Sequence, residues 1–297
     1  MAEPRFRHEP IIHRRKLEMP EGARVAVWVG INVEYYDFNK PGPSLFAYRG
    51  PQTMFPNPRD YGWFAYGLRV GIWRIMDILD QRNMRGSVLL NSDMCKYHPE
   101  IIEEGNLRKW VWLAHGRQNG IPEHGFEYHE ELEYLAEVVS SIEAGTGTRP
   151  KGWLGPGLGE SLNTLDILAD LGLTYVCDWC ADDQPFELAV RTGKMINVPY
   201  AIDGLNDVRL RDLGYTGDDY YDLIIDQFEQ LHEDGESNPR VMCLAIHPYL
   251  TGQPFRARKF AAALTKIRET PNVWLPTSDE IASWYYDSYY RETPFNQ

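Results

Sequence analysis

Side chains that can move protons follow directly after several short apolar runs of the chain. Glu34 comes just after the run that begins near Arg24, and His115 and His247 come at the ends of two later runs. Carboxylates and imidazoles are the usual general acids and bases of enzymes, and three of them at one rim could form a catalytic site. We therefore predict Glu34, His115 and His247 as catalytic residues.

Other polar or conformationally unusual residues stand at the ends of similar runs. They are Asn32, Asn91, Gly155-Pro156-Gly157, Asp178-Trp179 and Tyr200. Because turns begin where strands end, some polar residues are expected there by chance. The density of this set still favours a binding or catalytic rim.

The runs themselves have the length and composition of β-strands. Those predicted are Arg24–Ile31, Gly86–Asn91, Trp110–Ala114, Gly152–Gly155, Thr174–Asp178, Met195–Pro199, Val241–His247 and Val273–Leu275. Amphipathic helical stretches lie between them, for example a helix that ends before Gly172, and Thr277 begins a capping box ahead of the last helix.

Strands that alternate with helices predict an α/β fold with parallel strands. We expect one irregular TIM-like (β/α) barrel with seven or eight strands, closed rather than split into two domains. Residues 1–23 are predicted to form an N-terminal arm, 24–292 the catalytic barrel and 293–297 a tail. In such barrels the site lies at the carboxyl ends of the strands, which is where the polar residues fall.

Charge and composition narrow the partners. The formal net charge of -13 disfavours nucleic acid and anionic membranes, so we expect a small-molecule substrate. No apolar run has the length of a membrane span or the pattern of a signal peptide, which predicts a cytoplasmic protein. Four cysteines are too few for a disulfide framework.

The stretch 35–66 combines many aromatic residues with no obvious element. A long loop of this kind is usually functional or buried in an interface. Three interpretations stay open: a lid over the site, a contact between subunits, or a loop packed on its own barrel. A homodimer or homotetramer is expected.

Five short motifs, in order along residues 24–285, resemble those of the polysaccharide deacetylase superfamily, the NodB homology hydrolases. They are Ile31-Asn32-Val33-Glu34-Tyr35, His115-Gly116-Arg117-Gln118-Asn119, Leu154-Gly155-Pro156-Gly157, Asp178-Trp179 and Ile246-His247-Pro248-Tyr249. Each motif is weak alone, but their order and their positions at strand ends make the resemblance specific. It implies hydrolysis of a C–N bond and the barrel fold.

The departures from the family pattern bear on metal binding. The resemblance implies an ion held by one Asp and two His in many members, but Tyr35 and Asn119 stand at two of those positions here. No cofactor is therefore expected, although a divalent ion such as zinc on His115 and Glu34 is left open. The Asn32-Val33-Glu34 run is similar to the metal-independent allantoinases and cyclic imide hydrolases of this superfamily.

That branch implies ring opening of a small amide, ureide or imide. Glu34 would accept a proton from the attacking water, with its pKa raised by burial, and His247 would protonate the leaving nitrogen. His115 would polarise the carbonyl or hold the water, and the backbone near Gly155–Gly157 would form an oxyanion hole. The residues predicted to bind substrate are Asn32, Tyr36, Asn91, Asn119, Gly155, Pro156, Gly157 and Trp179.

Two other functions fit the same residues. One is a metal-dependent deacetylase of an N-acetylated sugar or small N-acetyl compound. The other is a non-catalytic binding protein on a barrel that has lost its metal ligands.

Overall fold

The computed structural model describes residues 5–39, 55–119 and 125–291. Its strands are β1 (Val25–Val33), β2 (Gly86–Leu90), β3 (Val111–Ala114), β4 (Gly152–Trp153), β5 (Tyr175–Val176), β6 (Phe186–Leu188), β7 (Met195–Asn197), β8 (Arg240–Ile246) and β9 (Val273–Trp274). Its α-helices are α1 (Pro58–Tyr66), α2 (Ile72–Asp80), α3 (Asp93–Tyr97), α4 (Pro99–Leu107), α5 (Tyr128–Thr146), α6 (Thr164–Asp170), α7 (Asp207–Leu213), α8 (Gly217–Asp234), α9 (Pro254–Glu269) and α10 (Ser278–Ser288). No helix in these ranges is long and apolar enough to cross a membrane.

The strands form one curled sheet in the order β6-β7-β5-β4-β3-β2-β1-β8, and β9 also pairs with β1. Every pairing is parallel except β6 with β7. The predicted α/β barrel type is therefore confirmed. All eight predicted strands are present within two residues of their expected bounds, and β6 is the one that the sequence pattern missed.

The expectation of a closed barrel is wrong for the described residues, because no ladder joins β6 to β8. Single backbone hydrogen bonds bridge this seam instead: Val241 donates to the Asp183 carbonyl at 2.7 Å, and Ala245 donates to the Leu205 carbonyl at 3.2 Å. Strands β4 to β7 are only two or three residues long. Loops therefore form much of the wall on that side.

The N-terminal residues cover the seam. Arg5 forms an ion pair with Asp166 at 2.9 Å, and Arg14 forms a second one with Asp182. Farther along, the backbone N–H of Leu17 donates to Asn238, next to β8. These contacts hold the described part of the predicted arm against both sides of the gap.

Side-chain alternation along the strands determines which residues face the inside of the curled sheet. In β1 the side chains of Ala26 and Trp28 belong to the inner apolar cluster, whereas Val25 and its odd-numbered successors pack under the helices. Because strand side chains alternate with a period of two, Glu34 continues the inner series just past the end of β1. His115 after β3 and His247 after β8 do the same. Parallel strands present these ends at one rim, so the three side chains converge.

The sequence suggested that the stretch 35–66 has no regular structure, but its last part is helical. Residues 58–66 form α1, which Asn57 caps by accepting from the backbone N–H of Asp60, and a π-helical turn at Gly67–Gly71 joins α1 to α2. The aromatic ring of Phe38 packs on Tyr61, with centroids 5.0 Å apart. Residues 40–54 lie outside the described ranges, so the choice among a lid, a subunit contact and a loop packed on its own barrel stays open.

Candidate active site

Glu34 lies between two imidazoles. Its Oε1 atom is 3.5 Å from Nε2 of His115 and 3.5 Å from Nε2 of His247. The three residues are only 3–6% exposed. The structure thus brings the three predicted catalytic side chains together at one point.

Asp207, the first residue of α7, holds His247 from behind. Its Oδ1 is 2.6 Å from His247 Nδ1, and its Oδ2 accepts from the backbone N–H of His247 at 2.8 Å and from the Thr251 hydroxyl at 2.7 Å. Asp207 is completely buried. With Nδ1 bound to a carboxylate, the ring of His247 has a fixed orientation that leaves Nε2 directed at Glu34.

Sequence reasoning did not identify Asp207. It follows no apolar run, and only the packing of α7 on β8 brings it to His247. A weak signal exists, because Asn206-Asp207 reads as a helix start, and the Asn206 side chain does accept from the Val208 backbone N–H.

His115 is oriented by the main chain of the next strand. Its Nδ1 lies 2.7 Å from the carbonyl oxygen of Leu154. A carbonyl oxygen only accepts, so Nδ1 carries a proton, and Nε2 is the ring atom that faces Oε1 of Glu34. Nε2 is therefore the atom of His115 that can contact a water molecule beside Glu34.

The carboxylate of Glu34 is bound through both oxygens. The Asn119 amide donates to Oε1, and the Tyr36 hydroxyl donates to Oε2 at 2.6 Å. Burial on its own would raise the pKa of Glu34. The charge of His247 and the close contacts of both imidazoles outweigh burial and hold the pKa well below its usual range.

The expectation of a raised pKa for Glu34 is therefore wrong. It considered the apolar surroundings and omitted the cationic partner, which has the larger combined effect. Burial likewise lowers the pKa of His247, but the charges of Asp207 and Glu34 raise it to about 10. Near neutral pH the site consists of an ionised carboxylate and a protonated imidazole.

The three predicted amide contacts form part of the wall of the site. Asn32 donates to the Tyr200 hydroxyl at 2.9 Å and to the Ile246 carbonyl at 3.2 Å. Asn91 donates to Asn119 Oδ1 at 3.1 Å, and its own Oδ1 accepts from the backbone N–H of Tyr35 at 2.9 Å. These bonds fix the loops that carry Glu34 and Asn119. Direct contact of the amides with a substrate stays a prediction.

The glycine-containing turn after β4 also has internal partners. The backbone N–H of Gly155 donates to Asp178 Oδ1 at 2.6 Å, so this donor is engaged rather than directed at a ligand. Pro156 and Gly157 lie in a short 3-10 turn in which Gly157 has a φ of 64°. The oxyanion role of this turn stays a prediction, now without a free Gly155 donor.

Two acidic residues, the buried Asp178 and the partly buried Glu160, lie beside this turn. Glu160 Oε1 accepts from the indole N–H of Trp179 at 3.2 Å. Burial raises the pKa of Glu160 to about 7, and burial together with the Glu160 charge raises the pKa of Asp178 well above its usual value. The half-buried Trp179 ring also meets Phe6 of the N-terminal segment edge to face, at 5.5 Å.

A zinc site needs three or four suitably placed ligands, and this cluster does not supply them. Within residues 5–39, 55–119 and 125–291, no group of three His, Cys, Asp or Glu side chains could hold a metal ion. Asn119 turns its amide nitrogen, which is not a metal ligand, toward Glu34. His115 and Glu34 are the metal ligands that the sequence left open. They supply only two ligands, which is fewer than a zinc site needs.

A cavity of about 1490 Å³ lies elsewhere, between the N-terminal segment and the seam of the sheet. Glu34, His115 and His247 are not among its lining residues, but Tyr200 is, and Tyr200 bonds Asn32 inside the barrel. The candidate site therefore rests on the convergence of Glu34, His115 and His247 and not on this cavity.

Comparison with known proteins agrees with this fold. No family model matches the chain. It is 26% identical over 249 residues to a Schizosaccharomyces pombe protein assigned as a polysaccharide deacetylase, which covers 74% of this chain and 73% of that protein. The structure of PuuE allantoinase matches with a TM-score of 0.85 and 22% identity, over 95% of this chain and 96% of that one.

A Pseudomonas aeruginosa PAO1 protein, also assigned as a polysaccharide deacetylase, has a TM-score of 0.83 at 21% identity, over 97% of this chain and all of that one (100%). Together these matches confirm the predicted resemblance to the polysaccharide deacetylase superfamily. The two solved structures establish the shared fold.

Proposed function

We propose that this chain, which has the fold of the polysaccharide deacetylase superfamily, hydrolyses an amide-type C–N bond in a small molecule such as a cyclic imide or ureide. One observation carries the proposal. Oε1 of Glu34 lies 3.5 Å from Nε2 of His247, whose Nδ1 is bound by Asp207. A carboxylate base and an imidazolium acid thus share one buried site.

Each group has the protonation state that its role requires. The lowered pKa of Glu34 leaves it ionised and able to take a proton, and the raised pKa of His247 leaves it able to give one. A base with a low pKa is intrinsically weak, so its efficiency depends on close placement against the water.

In the proposed reaction, water attacks the carbonyl carbon as Glu34 takes its proton. His115 hydrogen-bonds the same water through Nε2 and so orients the attack. As the tetrahedral intermediate collapses, the C–N bond breaks and His247 transfers its Nε2 proton to the departing nitrogen. The proton on Glu34 then restores His247, because their side-chain atoms lie 3.5 Å apart.

Two features support a small substrate and action without a metal ion. The cluster is almost fully buried, which suits a small ring better than a polymer chain. Tyr35 and Asn119 occupy positions at which the resemblance implies metal ligands in other members, and Asn119 instead donates to the base. PuuE allantoinase, one of the structural matches, bears a name that points to a ureide.

The test is a hydrolysis screen of cyclic imides, hydantoins, linear ureides and N-acetylated sugars, with and without chelator. We expect turnover of a cyclic imide or ureide that survives chelator and is lost in Glu34→Gln. Turnover of N-acetyl compounds alone, abolished by chelator and accompanied by one tightly held ion per chain in elemental analysis, would instead establish the metal-dependent deacetylase. Ligand binding without any turnover across the panel would favour the binding protein.

A further inference from the structure

Tyr36 contacts the proposed base, Glu34, through the carboxylate oxygen that does not face the imidazoles. Its hydroxyl donates to Oε2 of Glu34 at 2.6 Å, whereas Oε1 faces His115, His247 and Asn119. The two carboxylate oxygens therefore have different environments. One is bound by a phenol, and the other is surrounded by the groups of the proposed reaction.

The Tyr36 ring is itself held in place. It stacks face to face on Phe64 of α1, with centroids 3.5 Å apart and an interplanar angle of 3°. Phe64 meets Tyr249 edge to face at 5.0 Å, and Tyr249 meets the ring of His247 at 5.4 Å. A row of aromatic contacts thus connects Tyr36 to the loop that carries the acid.

The phenol is a permanent donor in this position. Burial, the charge of Glu34 and the neighbouring Tyr249 all raise the pKa of Tyr36 well above its ordinary value. It therefore stays neutral and protonated across the working range. A hydrogen bond from such a donor to an ionised carboxylate belongs to the stronger class.

We propose that Tyr36 is a positioning residue for the base of the proposed hydrolysis, on which this inference rests: its hydroxyl holds Oε2, so that Oε1 is the oxygen presented to the imidazoles and the reacting water. Free rotation of the carboxylate would exchange its oxygens and pull Oε1 away from His115 and His247. The Phe64 stack limits the movement of the donor, and so of the acceptor.

This role differs from the substrate contact that the sequence predicted for Tyr36. A residue that binds substrate changes KM when its hydroxyl is removed. A residue that orients the base changes kcat, because substrate binding is unaffected and the reacting geometry is lost.

The kinetic test compares Tyr36→Phe with Tyr35→Phe. Tyr35 is a matched control, because its ring also stacks on an aromatic neighbour, Tyr97, at a centroid distance of 4.6 Å. We expect Tyr36→Phe to lower kcat about ten- to hundred-fold with KM within about two-fold, the size associated with one hydrogen bond to a charged group. Tyr35→Phe should keep wild-type kcat. Phe64→Leu, which keeps the hydroxyl but removes the stack, should give a smaller loss of kcat.

Crystal structures of the wild type and Tyr36→Phe supply a measurement that does not need activity. We expect the Glu34 carboxylate of the variant to rotate, so that Oε1 no longer lies within hydrogen-bonding reach of both imidazoles. If the wild type hydrolyses none of the amides in the screen, the proposed function fails, and these structures still decide whether Tyr36 orients Glu34.

Three results would overturn the positioning role. They are an unmoved Glu34 in the variant structure, a rise in KM with kcat unchanged, or a displaced Glu34 with full kcat. An unmoved Glu34 together with a low kcat would mean that the Tyr36 hydroxyl acts on the reacting atoms directly.

Discussion

Two carboxyl groups at the same end of the sheet, those of Glu34 and Glu160, behave in opposite ways. Glu34 faces two imidazoles, and its pKa lies well below the usual range. Glu160 faces Asp178, and its pKa is raised to about 7. Burial raises the pKa of both carboxyl groups. The two imidazoles outweigh burial at Glu34, whereas the neighbours of Glu160 do not outweigh it there. One region is arranged to hold charge, and the other to hold a proton.

The largest expected difference between the regions is catalytic. Glu34→Gln removes the proposed base, so we expect kcat to fall about 10³- to 10⁴-fold, a typical contribution of general-base catalysis. The same change at the other carboxyl group, Glu160→Gln, should leave kcat within about three-fold. Steady-state kinetics with the substrate found in the screen measures both. Equal losses in the two variants would contradict the assignment of the site to Glu34.

Asp207→Asn should have the next largest effect. Without the Asp207 charge the His247 imidazolium is less stable, so the pKa of His247 falls from about 10 toward neutrality. The alkaline limb of the kcat/KM profile should therefore move to lower pH by one unit or more, with kcat lowered about 10²-fold on the plateau. A profile of unchanged shape would show that another group sets this limb.

The smallest effect concerns the stability that Glu160 contributes. The pKa of Glu160 is raised on folding, so its contribution to stability is complete below about pH 4.5 and is lost as the pH rises through about 7. Glu160→Gln removes that titration. We expect the wild type to lose on the order of 1 kcal/mol relative to this variant between pH 5 and pH 8, discounted for the partial exposure of Glu160.

Urea unfolding of both proteins at several pH values measures this difference. A constant difference across the range would mean that Glu160 titrates normally and that the contrast with Glu34 is only one of location. Matched m-values are needed for the comparison, because they show that both proteins unfold over the same surface.

Much of the fold could be predicted because its strands are short, apolar and alternate with helices. Position at strand ends also predicted the site, since Glu34, His115 and His247 each follow closely after a predicted strand. β6 was missed because it is three residues long and partly exposed. Its antiparallel pairing with β7 has no signature of its own in so short a sequence.

Tertiary partners account for the rest. Asp207 reaches His247 from a helix about forty residues away in sequence, and no local pattern encodes such a contact. The direction of the Glu34 pKa depends on which charges surround it, which the sequence leaves undefined. The open seam likewise depends on how far the sheet curls, and not on the number of its strands.

Two segments of the main chain, at Gly71 and at Pro248–Gly252, approach each other closely and join the proposed acid to its aromatic surroundings. A Cβ added at Gly71 would lie 2.0 Å from the Pro248 carbonyl oxygen, and one added at Gly252 would lie 2.1 Å from the same atom. The turn that follows α1 therefore rests directly on the loop that bears His247, with no side chain between them. Any bulk introduced at either glycine would displace Phe64 and His247 together, so a change remote from the reacting atoms would disturb the base and the acid at once.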